Sequence, residues 1–227
     1  MAIVAFVPAR GGSKGILDKN IIIVNDKPLI HWVLSAIEGC NSVEKVFVAT
    51  DSNKIAEVAN SFGFSKVDIF NRSEEGASDF SPTIDVVLEF INSGNVSEDD
   101  YLLLLQATSP LLVSGDVDSL VDGFFASGAD SSLSCVESRK YHWTKNGESV
   151  GHIFSERKPR QQRKDALLVE NGAMYLNKVS NIKNEKCLLS GKVFPFVMDY
   201  DSVYEIDSAF DLKIVEELMK SKFGVSL

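Results

Sequence analysis

Ile3-Val4-Ala5-Phe6-Val7-Pro8-Ala9-Arg10-Gly11-Gly12-Ser13-Lys14-Gly15 is the stretch on which the fold turns. Residues 3–7 form a short apolar run without polar alternation, which suits a strand covered on both faces. Pro8 and the glycines end it. The loop that follows holds three glycines, one hydroxyl and the cations Arg10 and Lys14, with Lys19 close behind. Glycines let backbone N–H groups approach anionic oxygens while cations neutralise them, so Gly11, Gly12 and Ser13 can wrap a triphosphate. A surface turn with solvated charges is the other reading. Position decides for a ligand, because ligands of open α/β sheets sit beyond the carboxyl ends of the strands. Neither GxxxxGK[ST] nor a GxGxxG running directly into a helix is present.

Outward from this loop, helical and strand patterns alternate. Pro28 to Ile37 carries Leu29, Ile30, Val33, Leu34 and Ile37 at helical spacing, and Val46 to Ala49 reads as a strand. Asp51 to Ala59 is a capped amphipathic helix, Thr83 to Ile91 a helix, Tyr101 to Leu105 a strand and Gly115 to Phe125 a further helix. From Val136 to about Leu168 the pattern gives way to a polar and basic stretch, read as an inserted arm. Gly172 to Leu176 and Lys192 to Val197 resume strand character. Ser208 to Met219 is the last helix, with Phe210, Leu212, Ile214, Val215 and Leu218 mostly inward. Such alternation predicts an α/β, Rossmann-like three-layer fold with a mainly parallel sheet, one domain over residues 1–227.

Composition limits the partners. With 227 residues and 44% of them hydrophobic, the chain can bury a core without disulfides or structural metals. A net charge of -9 argues against nucleic acid, whose binding requires a cationic surface. Cys40, Cys135 and Cys187 are widely spaced, the pattern of buried free thiols rather than a zinc site. No signal-peptide pattern and no apolar run of membrane-spanning length occurs, so a cytoplasmic protein without membrane contact is expected.

PARGGSKGI with Lys19-Asn20, together with LLLQATSPL at Leu103 to Leu111, resembles the acylneuraminate cytidylyltransferases, the CMP-sialic acid synthetases. Ala49-Thr50-Asp51-Ser52, Ser81-Pro82-Thr83-Ile84-Asp85, Pro159-Arg160-Gln161-Gln162, Asn171-Gly172-Ala173-Met174-Tyr175 and Glu205-Ile206-Asp207 extend the likeness in order along nearly the whole chain. The resemblance implies transfer of CMP from CTP to the anomeric hydroxyl of a nonulosonic acid, with release of pyrophosphate. It implies that Arg10, Lys14, Lys19 and Asn20 hold CTP and that Arg72 and Thr83 lie near base and ribose. Gln106, Thr108, Ser109, Arg160, Asn171 and Tyr175 would serve the sugar, Arg160 reaching across a homodimer through the arm at about 136–168. Arg10, Lys19 and Asp207 would carry catalysis, with Mg²⁺ on Asp207 and Glu205.

The residues themselves leave some of this open. Glu205 and Asp207, one residue apart, point to the same side of an extended chain and can share a hard cation. Asp207 before a helix serves equally well as an N-cap. Glu205 replaces the family's usual Asp, Val169 and Leu112 stand where cations are common, and Glu170 is placed to favour a sugar with an amine or extra amide donors. These departures keep two alternatives in view: an enzyme for Kdo or 8-amino-Kdo acids, and a nucleotide-binding regulator without turnover.

Overall fold

A computed structural model describes residues 1–13, 15–73, 82–163 and 167–224, without the side chain of Arg160. Lys14 and Ser81, and the side chain of Arg160, therefore lie outside the described residues.

In chain order, β1 (Ile3–Pro8) leads through a small hairpin, β2 (Ile23–Val24) and β3 (Lys27–Pro28), into α1 (Leu29–Gly39). Then come β4 (Lys45–Thr50), α2 (Asn53–Ser61), β5 (Val67–Asn71), α3 (Thr83–Asn92), β6 (Tyr101–Leu105) and α4 (Ser114–Ser127). β7 (Ser131–Ser138) is followed by a second hairpin, β8 (His142–Trp143) and β9 (Ser149–Val150), then β10 (Leu167–Lys178), α5 (Val179–Glu185), β11 (Val193–Met198) and α6 (Ala209–Phe223).

Seven of these strands form one sheet in the order β11-β7-β10-β6-β1-β4-β5. β1 pairs in parallel with β4 on one side and β6 on the other, β4 with β5, and β7 with β11; β10 runs against both of its neighbours. The expected mainly parallel sheet is present. Its strands alternate cleanly between two apolar layers, as period-2 geometry requires. Ala5, Val7, Leu103 and Leu105 face α1, α2 and α4, while Val4, Phe6, Leu102 and Leu104 face α3 and α5. No helix among the described residues is long and apolar enough to cross a membrane.

Several expectations are corrected here. β7 escaped the reading because its Ser131, Ser132 and Ser134 are buried on hydrogen bonds instead of apolar contacts. Their hydroxyls donate to Ser190 O at 2.7 Å, Phe194 O at 2.8 Å and Asn171 Oδ1 at 2.6 Å. The arm is shorter than 136–168, because Leu167, Leu168 and Val169 pair with Ser138, Glu137 and Val136 inside the main sheet. Of the described residues in this stretch, 139–163 lie outside the main sheet. Phe210 is 71% exposed rather than inward. It lies five residues before the buried Val215, about 140° round the helix from it. Cys187 is exposed, whereas Cys40 and Cys135 are buried.

His31 on α1 is wedged against Phe62 and Phe64 at ring distances of 4.7 and 5.4 Å, with its Nδ1 buried. Burial, helped by Lys27, holds its pKa below the ordinary value of 6.5. Below that ordinary value the unfolded chain binds the proton first, so stability must fall as pH drops toward the lower folded pKa. His31→Gln is expected to flatten the thermal midpoint between pH 7 and pH 5 relative to wild type; equal slopes would remove His31 as the source.

Candidate active site

Because β1, β4, β5 and β6 are parallel, the segments after Pro8, Thr50, Asn71 and Leu105 all emerge at one sheet edge. β1 is also where the strand order switches direction, the position at which open α/β sheets bind ligands. A cleft of ≈ 350 Å³ opens there, lined by Arg10, Ser13, Gly15, Lys19, Asn20, Arg72, Thr83, Gln106, Thr108 and Asp207, with Pro8, Val86 and Ala107.

Local hydrogen bonds fix the Gly-rich loop. Ala9 N donates to Ala49 O at 2.9 Å, prolonging the β1–β4 ladder, and Gly11 N donates to Asp51 Oδ1 at 2.9 Å. The buried Asn20 donates its amide to Arg10 O at 3.0 Å and so ties the far end of the loop back to its beginning. Gly12 has φ +68, in the left-handed region that favours glycine. Gly15 is needed for a different reason: a Cβ there would lie 2.6 Å from the backbone oxygen of Asp207. The loop is thus pressed against the acidic segment of the last quarter of the chain.

That segment is held by its middle residue. Ile206 is fully buried and its N donates to Thr108 O at 3.0 Å, which leaves Glu205 and Asp207 on its two sides. Asp207 Oδ1 accepts from Lys19 Nζ at 2.7 Å. Burial and the charge of Asp207 push the pKa of the Glu205 carboxyl up, while Lys19 and Thr108 oppose them. Asp207 does not cap α6. Ser208 is the N-cap, and Asp211 completes the capping box by accepting from Ser208 N at 2.8 Å. The carboxylate of Asp207 is therefore free to face the cleft.

On the opposite wall, Arg72 N donates to Thr50 O at 3.2 Å, placing this residue where β5 ends. Burial draws the Arg72 guanidinium below its ordinary pKa, Asp51 and Glu89 oppose this, and Arg10 adds to it. Arg10, Arg72 and Lys19 together give the cleft a cationic lining in an acidic protein, as a polyphosphate requires.

The sugar-side residues divide. Gln106 and Thr108 line the cleft; Gln106 N donates to Ala173 O at 3.2 Å, so β10 sets its position. Ser109 is buried in the turn below, its hydroxyl without a hydrogen-bond partner among the described residues. Tyr175 donates to Glu170 Oε2 at 3.0 Å, and burial together with Glu170 and Glu205 pushes its pKa up to about 12, so the phenol stays protonated. Asn171 is not among the residues lining the cleft. Its Oδ1 accepts from Ser134 and its Nδ2 donates to Ser202 Oγ at 2.9 Å, at a bulge in β10 where Gly172 takes φ +73. Asn171→Ala should therefore cost stability, about 2–3 kcal/mol through buried groups left unpaired, read as a lower urea midpoint. A loss of turnover at unchanged stability would instead restore it to the sugar site.

Asp51 and Gly15 carry structural duties that the sequence reading assigned to neither. The Asp51–Gly11 bond joins residues 40 positions apart and the Gly15–Asp207 approach joins the two ends of the chain, so no local pattern signals either.

A model of the Cytidylyltransferase family matches residues 4–223. The chain belongs to the cytidylyltransferase family. Its relatives include N-acylneuraminate cytidylyltransferase A of Danio rerio, 34% identical over 94% of this chain and 50% of that protein. The N-acylneuraminate cytidylyltransferase of Streptococcus agalactiae serotype V is 26% identical over 92% of this chain and 51% of its own length. The chain spans about half the length of these curated relatives. Among solved structures, CMP:2-keto-3-deoxy-manno-octonic acid synthetase complexed with CTP superposes with a TM-score of 0.69 at 19% identity, covering 98% of this chain and 100% of that one. At that identity it shows the shared cytidylyltransferase fold, Rossmann-like with a mixed, mostly parallel sheet.

Proposed function

We propose that this chain transfers CMP from CTP to the anomeric hydroxyl of a nonulosonic acid of the sialic or legionaminic type, with Mg²⁺ as the required ion. The observation that carries the reading is the convergence, in one cleft, of the Gly-rich loop, Arg72 with Thr83, Gln106 with Thr108, and Asp207. The N-acylneuraminate relatives support the acceptor class, and the neighbour complexed with CTP supports the nucleotide.

In this reading Arg10, Ser13 and Lys19 hold the triphosphate, with Gly11 and Gly12 shaping the loop around it. Arg72 and Thr83 serve the nucleoside and Gln106 orients the acceptor. The anomeric oxygen attacks the α-phosphorus in line, the bridging bond to the β-phosphate breaks, and pyrophosphate leaves with its charge steadied by Arg10 and Lys19. The hydroxyl proton is released to solvent as the new bond to phosphorus forms. Glu205 and Asp207 suit Mg²⁺, which favours one or two carboxylates plus substrate phosphates. When bound, the ion supplies charge neutralisation at the transferring phosphate.

Residues 1–227 are read as one nucleotidyltransferase domain. The arm offers exposed Trp143, Ile153 and Phe154 as the surface of a homodimer, through which Arg160 would meet the sugar carboxylate. Release of pyrophosphate from CTP and Mg²⁺ with a panel of sialic, legionaminic, pseudaminic, Kdn and Kdo-type acids is the test. Release with a sialic- or legionaminic-type acid supports the assignment and names the acceptor; release with a Kdo-type acid alone, or CTP binding with no release across the panel, overturns it.

A further inference from the structure

We propose that Lys19 is a resident cation in the metal's place, so that Asp207 takes up a divalent ion only once an incoming triphosphate has drawn Lys19 away. This deepens the reading of the cleft as a CTP and Mg²⁺ site and rests on it.

The contact is built in rather than incidental. Lys19 Nζ lies 2.7 Å from Asp207 Oδ1, and its side chain is only 18% exposed against 63% for that of Asp207. Its backbone is fixed as well: Lys19 N donates to Ile16 O at 3.2 Å, and its buried neighbour Asn20 is tied to Arg10 O. Gly15 also packs closely against the Asp207 carbonyl, so the two segments meet at a second point besides the ion pair.

A third carboxylate ligand is not to hand. Asp211 already accepts from Ser208 N, Ser208 Oγ and Asp207 N at 2.8, 2.8 and 3.3 Å. Among the described residues no group of three or more His, Cys, Asp or Glu could hold a metal ion. The nucleotide-free chain thus offers a divalent ion two carboxylates, one of them neutralised by an ammonium that also repels the ion.

A triphosphate reverses this balance. An ion pair with one largely exposed partner is weak and readily exchanged. The phosphates carry more charge than Asp207, so Lys19 turns to them, Asp207 is vacated, and the phosphates supply the remaining oxygen ligands. Nucleotide and metal then favour each other reciprocally, and the free protein does not sequester metal. Lys19 acts here as a positioning residue for the ion as well as a phosphate ligand.

The test avoids nucleotide, which binds metal by itself. Mn²⁺ is titrated into nucleotide-free wild type, Lys19→Met, Lys19→Gln and the double variant Lys19→Met/Asp207→Asn, following loss of the free-ion paramagnetic resonance signal, with circular dichroism confirming each fold. Both single variants are expected to bind Mn²⁺ about tenfold more tightly than wild type, and the double variant to lose that gain. Equal affinity in wild type and the folded single variants overturns the proposal, as does a gain that survives Asp207→Asn. The readout is independent of CMP transfer: a chain that shows the Mn²⁺ gain but releases no pyrophosphate retains the cation exchange and refutes only the assigned reaction.

Discussion

Asp207→Asn is expected to lower kcat by about 100- to 1000-fold, the range seen when one group stabilising transition-state charge is removed. Asparagine preserves the shape and one oxygen acceptor but not the charge that Lys19 contacts at 2.7 Å and that a hard cation needs. Stability should change by less than about 1 kcal/mol, because the pair is largely exposed on the Asp207 side and solvent screens it. Steady-state kinetics of pyrophosphate release beside a urea titration separates the two effects. Wild-type turnover in a folded Asp207→Asn protein would remove this carboxylate from the mechanism.

Gly15→Ala should be nearly as severe, for a steric reason. The added methyl would sit 2.6 Å from the Asp207 backbone oxygen, a separation that real Cβ atoms do not show, so loop and acidic segment must part. Arg10, Ser13 and Lys19 would then move relative to Asp207. A displacement of about 1 Å costs about 100-fold in a reaction that depends on positioning, and kcat/KM is expected to fall by that order. Gly63→Asn is the control: Gly63, just past α2 and outside the cleft, has nothing within 4 Å of its Cβ position, and asparagine tolerates its left-handed backbone. That variant should retain most activity. If the two substitutions are equally damaging, a general cost of replacing glycine, not the fit of the loop to Asp207, is what matters.

Elements whose apolar residues repeat at a fixed period were legible without a structure. Tyr101 to Leu105 coincides with β6, and the helix read at Thr83 to Ile91 differs from α3 by one residue. β7 was not legible, because its burial is satisfied by serine hydroxyls whose acceptors come from other strands. The arm's end was not legible for a different reason: Leu167, Leu168 and Val169 are a three-residue apolar run directly behind the basic stretch, too short to mark a strand before pairing with β7 shows it.

The site divides along the same line. By itself the sequence determined which chemical groups are available: a glycine loop with cations behind a buried strand, a polar turn after an apolar strand, and two carboxylates flanking Ile206, since residue type and short-range spacing are local properties. Only the tertiary structure decided which of them meet. Parallel pairing of β1, β4, β5 and β6 carries Arg10, Asp51, Arg72 and Gln106 to one edge, and burial of Ile206 against Thr108 brings Asp207 to Lys19 across 188 positions of sequence. The same packing drew Asn171 into the core and left Phe210 in solvent. Contacts between segments this far apart depend on how the layers close, which no periodicity along the chain encodes.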